Sequence, residues 1–275
     1  MNLVVLLAYH VVGVSADKTH IILPLWAVHT THRPPIKSFV YLCKEISSHM
    51  KNERQNTVEL LGTYGGDITH ALSAWTSTSR ELTDEKRGRV STLLKQLAEN
   101  KHGSVFEKSF IHFLVKCDTV THYQLLKHRI GVSINTESAR YKELKDDKFY
   151  IPADWSDEEV RVYTEHCISS YEKYHKMIES LVQKGYTRKR AKESARFLLP
   201  LGNQLILDIS FNFRSFIHFL SLRLKDDAQL EIRHIASEML RLLKEKDEFR
   251  GSLEAFGYLD LIKYYIYEYA DFYKT

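Results

Sequence analysis

A strand-like pattern from Phe106 to Cys117 is followed at once by a helix start. Ile111, Phe113 and Val115 occupy alternate positions, which is the period of a strand with one buried face. Asp118 can accept hydrogen bonds from the free amides of a first helical turn, so a helix is predicted through "TVTHYQLLKHR". A strand joined directly to a capped helix favours an α+β fold.

Helical periods account for most of the rest of the chain. Amphipathic helices are predicted over Glu85–Asn100, Asp157–Lys184, Thr187–Leu199, Arg214–Arg223 and Asp226–Lys246. Gln204–Ser210 has the character of a second strand. The expected fold class is α+β, a helix-rich single domain with a small mixed sheet.

Residues 1–49 differ in character from the rest. Leu3–Ala16 has an apolar core that ends in small residues, as signal peptides do, but no Lys or Arg precedes it and His10 interrupts it. We therefore expect no secretion. Met50 opens a strongly charged stretch, so residues 1–49 are predicted to be an N-terminal extension and residues 50–275 the folded core. The sequence leaves open whether the mature protein keeps the extension.

Composition excludes several classes of protein. A hydrophobic content of 44% is enough for a core, and a net charge of +4 is too small for a nucleic-acid coat but allows a local basic pocket. The three cysteines are scattered, which favours a reducing cytoplasm over a disulfide framework. No apolar run is long enough to span a membrane, and the histidines lack zinc-ligand spacing, so neither a membrane nor a metal is expected.

One segment, "QLLKHRIGVSINTESARY", concentrates basic and small polar side chains. It contains Lys127, His128, Arg129 and Arg140 together with Ser133, Asn135, Thr136 and Ser138. Gly131 and the polar run after it are predicted to end the helix and to leave amides and hydroxyls in a loop. A cationic helix end followed by such a loop can bind phosphate.

Four blocks in order resemble the flavin-dependent thymidylate synthases. They are "HGSVFE" from His102, the segment from Gln124, "SARFLLP" around Arg196, and "NFRSFIHFLSLR" from Asn212. The resemblance covers roughly Thr57–Phe256. It implies that residues 50–275 are a catalytic domain with the fold of that family. It also implies a homotetramer.

The signature of that family is Arg-His-Arg, seven residues, then Ser, and this chain departs from it in three ways. Lys127 replaces the first arginine, which keeps the charge but loses the planar fork. Eight residues separate Arg129 from Ser138, which places one extra residue near Gly131 or Val132. The usual Asn-Glu pair is Asn-Thr here, with Glu one place later, and Ser133 remains an alternative for the signature serine.

The resemblance implies two sets of site residues. Positions that bind deoxyuridine monophosphate (dUMP) in the family match Gln124, Lys127, Glu137, Ser138, Ala139, Arg140, Arg196 and Arg223. Among them, Arg223 matches the catalytic arginine that stabilises ionisation at uracil N3. Positions that contact flavin, or adjoin such contacts, match Ser77, His102, Ser104, Glu107, Lys127, His128, Arg129, Asn135, Asn212, Arg214 and His218.

The reaction that the resemblance implies is the reductive methylation of dUMP to dTMP by a methyltransferase. NADPH reduces FAD, and methylenetetrahydrofolate is the co-substrate that gives up its one-carbon unit. The family needs no cysteine nucleophile, so the absence of a cysteine-centred motif is expected.

The same residues also allow ordinary structural roles and two alternative functions. The Lys-His-Arg triplet alone is more often a solvated helix end, and Arg196 could form an ion pair with Glu193 or Asp208. A flavoprotein of the same scaffold without methyl transfer is one alternative function. A nucleic-acid-binding module is the second, although acidic residues interrupt every basic stretch.

Overall fold

The computed structural model describes residues 54–138 and 148–261, together with the backbone of two short strands near the N-terminus. Those strands, β1 (Tyr9–Val11) and β2 (Ile22–Pro24), pair antiparallel. The chain divides into two compact units, residues 1–49 and 50–275. The assignment of the first unit as an extension and of the second as the catalytic domain stays a prediction.

The described part of the second unit contains strands, α-helices and short 3-10 turns. The strands are β3 (Thr57–Tyr64), β4 (Phe110–Asp118), β5 (Val132–Thr136) and β6 (Gln204–Asn212). The helices are α1 (Asp67–Trp75), α2 (Asp84–Gly88), α3 (Val90–Glu99), α4 (Thr119–Leu125), α5 (Asp157–Gln183), α6 (Arg188–Ala195), α7 (Phe213–Arg223), α8 (Leu230–Lys244) and α9 (Arg250–Ala255). None of these described helices is long and apolar enough to cross a membrane.

The four strands form one sheet in the order β3-β4-β6-β5. Each neighbouring pair is antiparallel, with a bulge in β3 between Leu60 and Gly62. The fold class predicted from the sequence is confirmed, but the sheet is antiparallel rather than mixed. The reason is that β6 lies between β4 and β5, so those two strands run in the same direction without being neighbours.

One face of the sheet forms the core. Ile111, Phe113 and Val115 of β4 are fully buried, as their alternation predicts. Side chains from β6 and from helices α3, α7, α8 and α9 fill the same cluster, among them Ile209, Phe211, Leu94, Phe216, Phe219, Ile235, Met239 and Leu253. Burial of this apolar surface is the main term that stabilises the fold.

Helix α5 packs outside this core. Its cap Ser156 accepts from the Glu159 amide while the Glu159 carboxylate accepts from the Ser156 amide, which is a capping box. Tyr171 on α5 donates a hydrogen bond to Asn203 Oδ1 at 2.8 Å and so joins the helix to the start of β6. Further along, Tyr174 and Ile178 pack against the small residues of α6.

The predicted helices are confirmed, with changes at their ends. The helix expected over Glu85–Asn100 is two helices that meet at Arg89, and the last predicted helix is shorter than Asp226–Lys246. The first predicted strand begins at Phe110, because residues 103–107 form a 3-10 turn. This turn places Glu107 before the strand.

The polar run after Gly131 is a strand, so the prediction of a loop was wrong. Val132 and Ile134 pack against the core, while Ser133 and Asn135 alternate with them and are exposed. The period of a strand is therefore present, and β6 supplies the pairing that a local pattern does not reveal. The backbone amides of this segment are partly used in the sheet.

Asp118 joins three elements at the end of β4. Its carboxylate accepts from the Thr121 amide at 2.9 Å, from Thr121 Oγ1 at 2.7 Å and from Asn56 Nδ2 at 2.8 Å. Asn56 Oδ1 in turn accepts from the Asp118 amide and from Gln204 Nε2. The predicted cap of α4 is confirmed, and it also ties the helix to the ends of β3 and β6.

A second buried polar network surrounds His70 on α1. His70 is fully buried, and its ring nitrogens lie 2.8 Å from Ser252 Oγ and 2.7 Å from Ser109 Oγ. Asp67 accepts from the amides of Gly251 and Ser252, so α1 holds the start of α9. Burial lowers the pKa of His70 to about 4.

We predict that His70 makes the protein acid-sensitive. Its pKa is lowered in the folded state, so the unfolded chain binds the extra proton between pH 6.5 and about 4, and stability falls as the pH drops through that window. Protonation of His70 alone should lower the unfolding free energy by about 3 kcal/mol across this window. Urea denaturation of wild type and His70→Asn should show a difference in unfolding free energy that shrinks from pH 7 to pH 4.

His166→Asn is the matched control, because His166 is exposed on α5. It should keep the pH profile of the wild type. A constant offset between wild type and His70→Asn at every pH would contradict the prediction.

Candidate functional site

The centre of the candidate site is Arg223, the last residue of α7. Its Nε donates to His128 Nε2 at 3.0 Å, its Nη1 to Gln124 Oε1 at 3.3 Å and its Nη2 to the Gln124 carbonyl at 3.2 Å. All three acceptors are neutral. Burial lowers the pKa of Arg223, yet a guanidinium stays charged at neutral pH. The charge therefore faces the site without a carboxylate partner among the described residues.

His128 serves Arg223 as an acceptor. A guanidinium can only donate, so His128 Nε2 must hold a lone pair and the ring proton must lie on Nδ1. Burial lowers the pKa of His128 to about 4, and the charges of Arg223 and His218 act in the same direction. The ring also packs edge to face on Phe219, with centroids 5.0 Å apart. His128 is therefore a neutral, fixed group at pH 7.

The end of α4 sets the positions of the Lys-His-Arg triplet. The helix ends at Leu125, four residues before the predicted end, and turns complete the segment. His128 is turned inward and buried, whereas Lys127 and Arg129 are exposed on either side of it. Two exposed cations thus flank the buried imidazole.

The segment after the triplet is held against the start of α7. Ser215 Oγ donates to the Ile130 carbonyl at 2.6 Å, and the Asn212 amide donates to the Gly131 carbonyl at 2.9 Å. Gly131 has a φ of +65°, and a Cβ there would collide with Asn212 Nδ2 and Ser215 Oγ. Only glycine fits this contact without movement.

A second arginine of α7 lies at the opposite end of the helix. Arg214 Nη1 forms an ion pair with Glu107 Oε1 at 2.6 Å. A Cβ on Gly103 would come within 2.7 Å of Arg214 Nε, so the 3-10 turn must approach the guanidinium closely. This contact joins the "HGSVFE" block to the "NFRSF" block.

Comparison with known proteins gives consistent matches. The chain is 31% identical over 194 residues to a flavin-dependent thymidylate synthase of Pseudothermotoga lettingae, covering 68% of this chain and 84% of that protein. It is 32% identical over 197 residues to the enzyme of the same name from Thermotoga neapolitana, covering 69% and 86%. A family model described as thymidylate synthase complementing protein matches residues 59–247. This chain belongs to the flavin-dependent thymidylate synthase family.

Solved structures agree with membership of the flavin-dependent thymidylate synthase family. The crystal structure of the UMP/dUMP methylase PolB from Streptomyces cacaoi bound with 5-Br dUMP matches with a TM-score of 0.64 and 29% identity. The match covers 74% of this chain and 94% of that chain. The structure of PolB bound with 5-Br UMP matches with a TM-score of 0.61. The resemblance inferred from the sequence is confirmed.

The fold brings part of the residue set expected of this family together. Gln124, His128 and Arg223 are in direct contact, and the exposed His218 lies beside them with its ring centroid 6.4 Å from that of His128. Asn212 accepts from the Ser215 amide and caps α7. Its roles in capping and in holding Gly131 are structural, whatever it contacts in addition.

Several members of the set lie on the sheet edge. Glu137 Oε1 accepts from the Ile206 amide at 3.0 Å, and Asn135 Nδ2 lies 3.5 Å from Asp208 Oδ2. Ser138 is half-buried. Ala139 and Arg140 lie outside the described residues.

Three further groups stand apart from the Arg223 contacts. Ser77, just after α1, donates to the Ala74 carbonyl. His102, which precedes the 3-10 turn, and Ser104, which lies within it, are both exposed. Arg196 is exposed at the start of another 3-10 turn.

Within the described ranges, Arg196 makes no ion pair. Glu193 pairs with Arg190 at 3.7 Å, and Asp208 lies 3.6 Å from His112. The alternative in which Arg196 pairs with one of these two acids was therefore wrong, because neither carboxylate lies within ion-pair distance of Arg196. The charge of Arg196 is available to a ligand.

Two residues beside the site carried no sequence signal. Gln229 Oε1 accepts from Gln124 Nε2, and Glu231 Oε2 accepts from Gln229 Nε2 at 2.7 Å. They lie in the turn before α8 and in its first turn, where a local pattern does not distinguish them from solvated polar residues. Across residues 54–138 and 148–261, no group of His, Cys, Asp and Glu side chains could hold a metal ion.

We predict that Gly131→Ala destabilises the protein through collision as well as backbone strain. Gly185→Ala is the matched control, because Gly185 also has a positive φ, +89°, but nothing lies within 4 Å of its Cβ position. The control should lose about 1 kcal/mol of unfolding free energy. Gly131→Ala should lose about 2 kcal/mol more. If urea denaturation shows the same loss of unfolding free energy for both variants, the prediction is wrong, and Asn212 moves aside without an energetic penalty.

Proposed function

We propose that this protein methylates dUMP to dTMP, with methylenetetrahydrofolate as one-carbon donor and NADPH as reductant through FAD. The observation that carries the proposal is Arg223, a partly buried cation held by the neutral acceptors Gln124 and His128. Such a cation favours an anionic partner and stabilises negative charge as it develops. In the proposed reaction that partner is the uracil ring of dUMP, ionised at N3.

Most of the guanidinium is fixed before any ligand arrives. Arginine has five N–H donors. Three are used on Gln124 and His128, so two remain for a nucleotide. Because His128 is neutral at pH 7, it does not compete with Arg223 for the negative charge of the nucleotide. Preorganisation of this kind lowers the cost of stabilising a transition state.

The phosphate of dUMP needs further donors. We assign Lys127 and Arg196, both exposed, to the phosphate. Glu137, Ser138, Ala139 and Arg140 form the remainder of the proposed nucleotide site. A phosphate dianion is bound best by several charge-assisted donors. The exposed charge of Arg196 supports this role, since no acid within the described ranges neutralises it.

The residues assigned to flavin fit an anionic dinucleotide cofactor. Lys127 and Arg129 are exposed cations on either side of His128, and Arg214 and Glu107 present a charged pair beside the close approach at Gly103. The remaining assigned positions are Ser77, His102, Ser104, His128, Asn135, Asn212 and His218. A bound flavin supplies the electron transfer that protein side chains do not.

The cysteines support flavin chemistry over a cysteine nucleophile. Of the two cysteines that the structure describes, Cys117 is fully buried and burial raises its pKa. Cys167 is also buried, and burial raises its pKa to about 11. Neither thiol would ionise near neutral pH, which a nucleophile requires.

We also propose a homotetramer in the cytoplasm. The open face of the sheet supports assembly, because Tyr64 and Phe110 are paired across β3 and β4 and are 68% and 52% exposed. Leu61, at the bulge of β3, is a further exposed apolar side chain. Exposed apolar surface of this kind is typical of protein interfaces.

We predict release of tritium from dUMP labelled at C5 when purified protein is supplied with FAD, NADPH and methylenetetrahydrofolate. Release should require each component and should be accompanied by dTMP. No release of tritium from a folded, yellow protein would contradict the proposal and favour a flavoprotein without methyl transfer. Lys127 and the extra residue near Gly131 would then be the sequence features that mark the loss of activity. A colourless protein that retains single-stranded nucleic acid would favour the binding-module alternative.

We further predict that Arg223→Ala abolishes turnover while flavin stays bound, because its proposed partner is the pyrimidine. The decrease in kcat should be at least about 100-fold. Arg214→Ala is the matched variant, an arginine on the same helix assigned to flavin, and it should lower the visible flavin absorbance per chain. Loss of flavin from Arg223→Ala would contradict the assignment.

A further inference from the structure

A chain of side-chain hydrogen bonds runs from Glu231 to Arg223. Gln229 Nε2 donates to Glu231 Oε2 at 2.7 Å, and Gln124 Nε2 donates to Gln229 Oε1. Gln124 Oε1 then accepts from Arg223 Nη1 at 3.3 Å. Two carboxamides thus connect a carboxylate to a guanidinium.

The two ends of the chain determine the direction of every bond within it. Arg223 can only donate, so the group of Gln124 that faces it must be the oxygen. The carboxylate of Glu231 can only accept, so the group of Gln229 that faces it must be the NH₂. The NH₂ group of Gln124 and the oxygen of Gln229 then face each other, so a donor meets an acceptor. Rotation of either amide would oppose two donors or two acceptors.

The direction of these bonds matters because the Gln124 side-chain oxygen accepts from Arg223 Nη1, beside the contact that the Gln124 backbone carbonyl makes with Nη2. A Gln124 amide that is free to rotate would at times turn its NH₂ toward the guanidinium and push it away. With Gln229 in place, Gln124 keeps its oxygen on Arg223, and one hydrogen of Gln124 Nε2 remains for a ligand.

We propose that Gln229 and Glu231 are positioning residues for the nucleotide, acting through Gln124 on Arg223. The inference rests on the proposed function, in which Gln124 and Arg223 bind dUMP. Neither Gln229 nor Glu231 is assigned a contact with dUMP. Glu231 orients Gln229, Gln229 orients Gln124, and Gln124 holds the catalytic guanidinium.

The test measures the dissociation constant of dUMP by calorimetry with the flavin-loaded protein. Gln229→Ala should weaken binding roughly three- to tenfold, the range expected for one partly exposed hydrogen bond. In the background of Gln124→Ala, the same substitution should have no further effect, because its route to Arg223 is already broken. Additive losses would overturn the proposal and indicate a separate, structural role for Gln229.

A charge swap tests the direction of the chain. Gln229→Glu alone opposes two carboxylates at positions 229 and 231 and should weaken dUMP binding. The double variant Gln229→Glu/Glu231→Gln restores a donor at 231 and an acceptor at 229 and should recover at least half of the lost affinity. Failure of the double variant to recover any affinity would overturn the proposed polarity.

Controls separate positioning from folding. Gln229 directly precedes α8, so thermal unfolding and flavin content are measured for each variant. Gln96→Ala on α3 and Glu238→Gln on α8 make the same chemical changes at positions outside the chain of bonds and should leave dUMP affinity unchanged. If the wild type binds no dUMP, the proposed function and this inference both fail. If it does bind, and Gln229→Ala binds equally well, this inference alone fails.

Discussion

The site depends on the hydrogen bonds that the carboxylate of Asp118 accepts at the start of α4. This carboxylate caps α4 and at the same time accepts from Asn56 Nδ2, so the start of the helix is tied to the strand before it and to the edge of β3. Asp118 is buried, and a buried carboxylate is stable only when its oxygens are hydrogen-bonded, which three donors accomplish here. With the start of α4 held, the helix positions Gln124, and the turn that follows the helix positions His128.

The second half of the site comes from α7. Its start is capped by Asn212 and is in contact with Gly131, while Phe216 and Phe219 anchor its inner face in the core. Arg223, at the far end, therefore approaches α4 from a rigid helix. Residues that are 95 and 99 positions apart in sequence meet at the hydrogen bonds of Arg223 with His128 and Gln124.

Electrostatics at this meeting point are unusual for an arginine. Cations that lose solvent are commonly paired with acids, but here the acceptors of Arg223 are a neutral imidazole and an amide. The nearest carboxylate in the hydrogen-bond chain, Glu231, is two amides away. The arrangement keeps the positive charge available to a ligand and fixes its geometry, and both properties suit the stabilisation of an anionic pyrimidine.

Local patterns in the sequence determined the types of β4, β6 and helices α2 to α8, the cap at Asp118, and the order of blocks that resembles the family. These features depend on neighbours within a few residues, where periodicity and capping chemistry act. Tertiary structure alone decided that the polar run after Gly131 is an edge strand, since β6 supplies its partner. It also decided that Gln229 joins the site, because the direction of an amide hydrogen bond is set by groups that the fold brings together from distant parts of the chain.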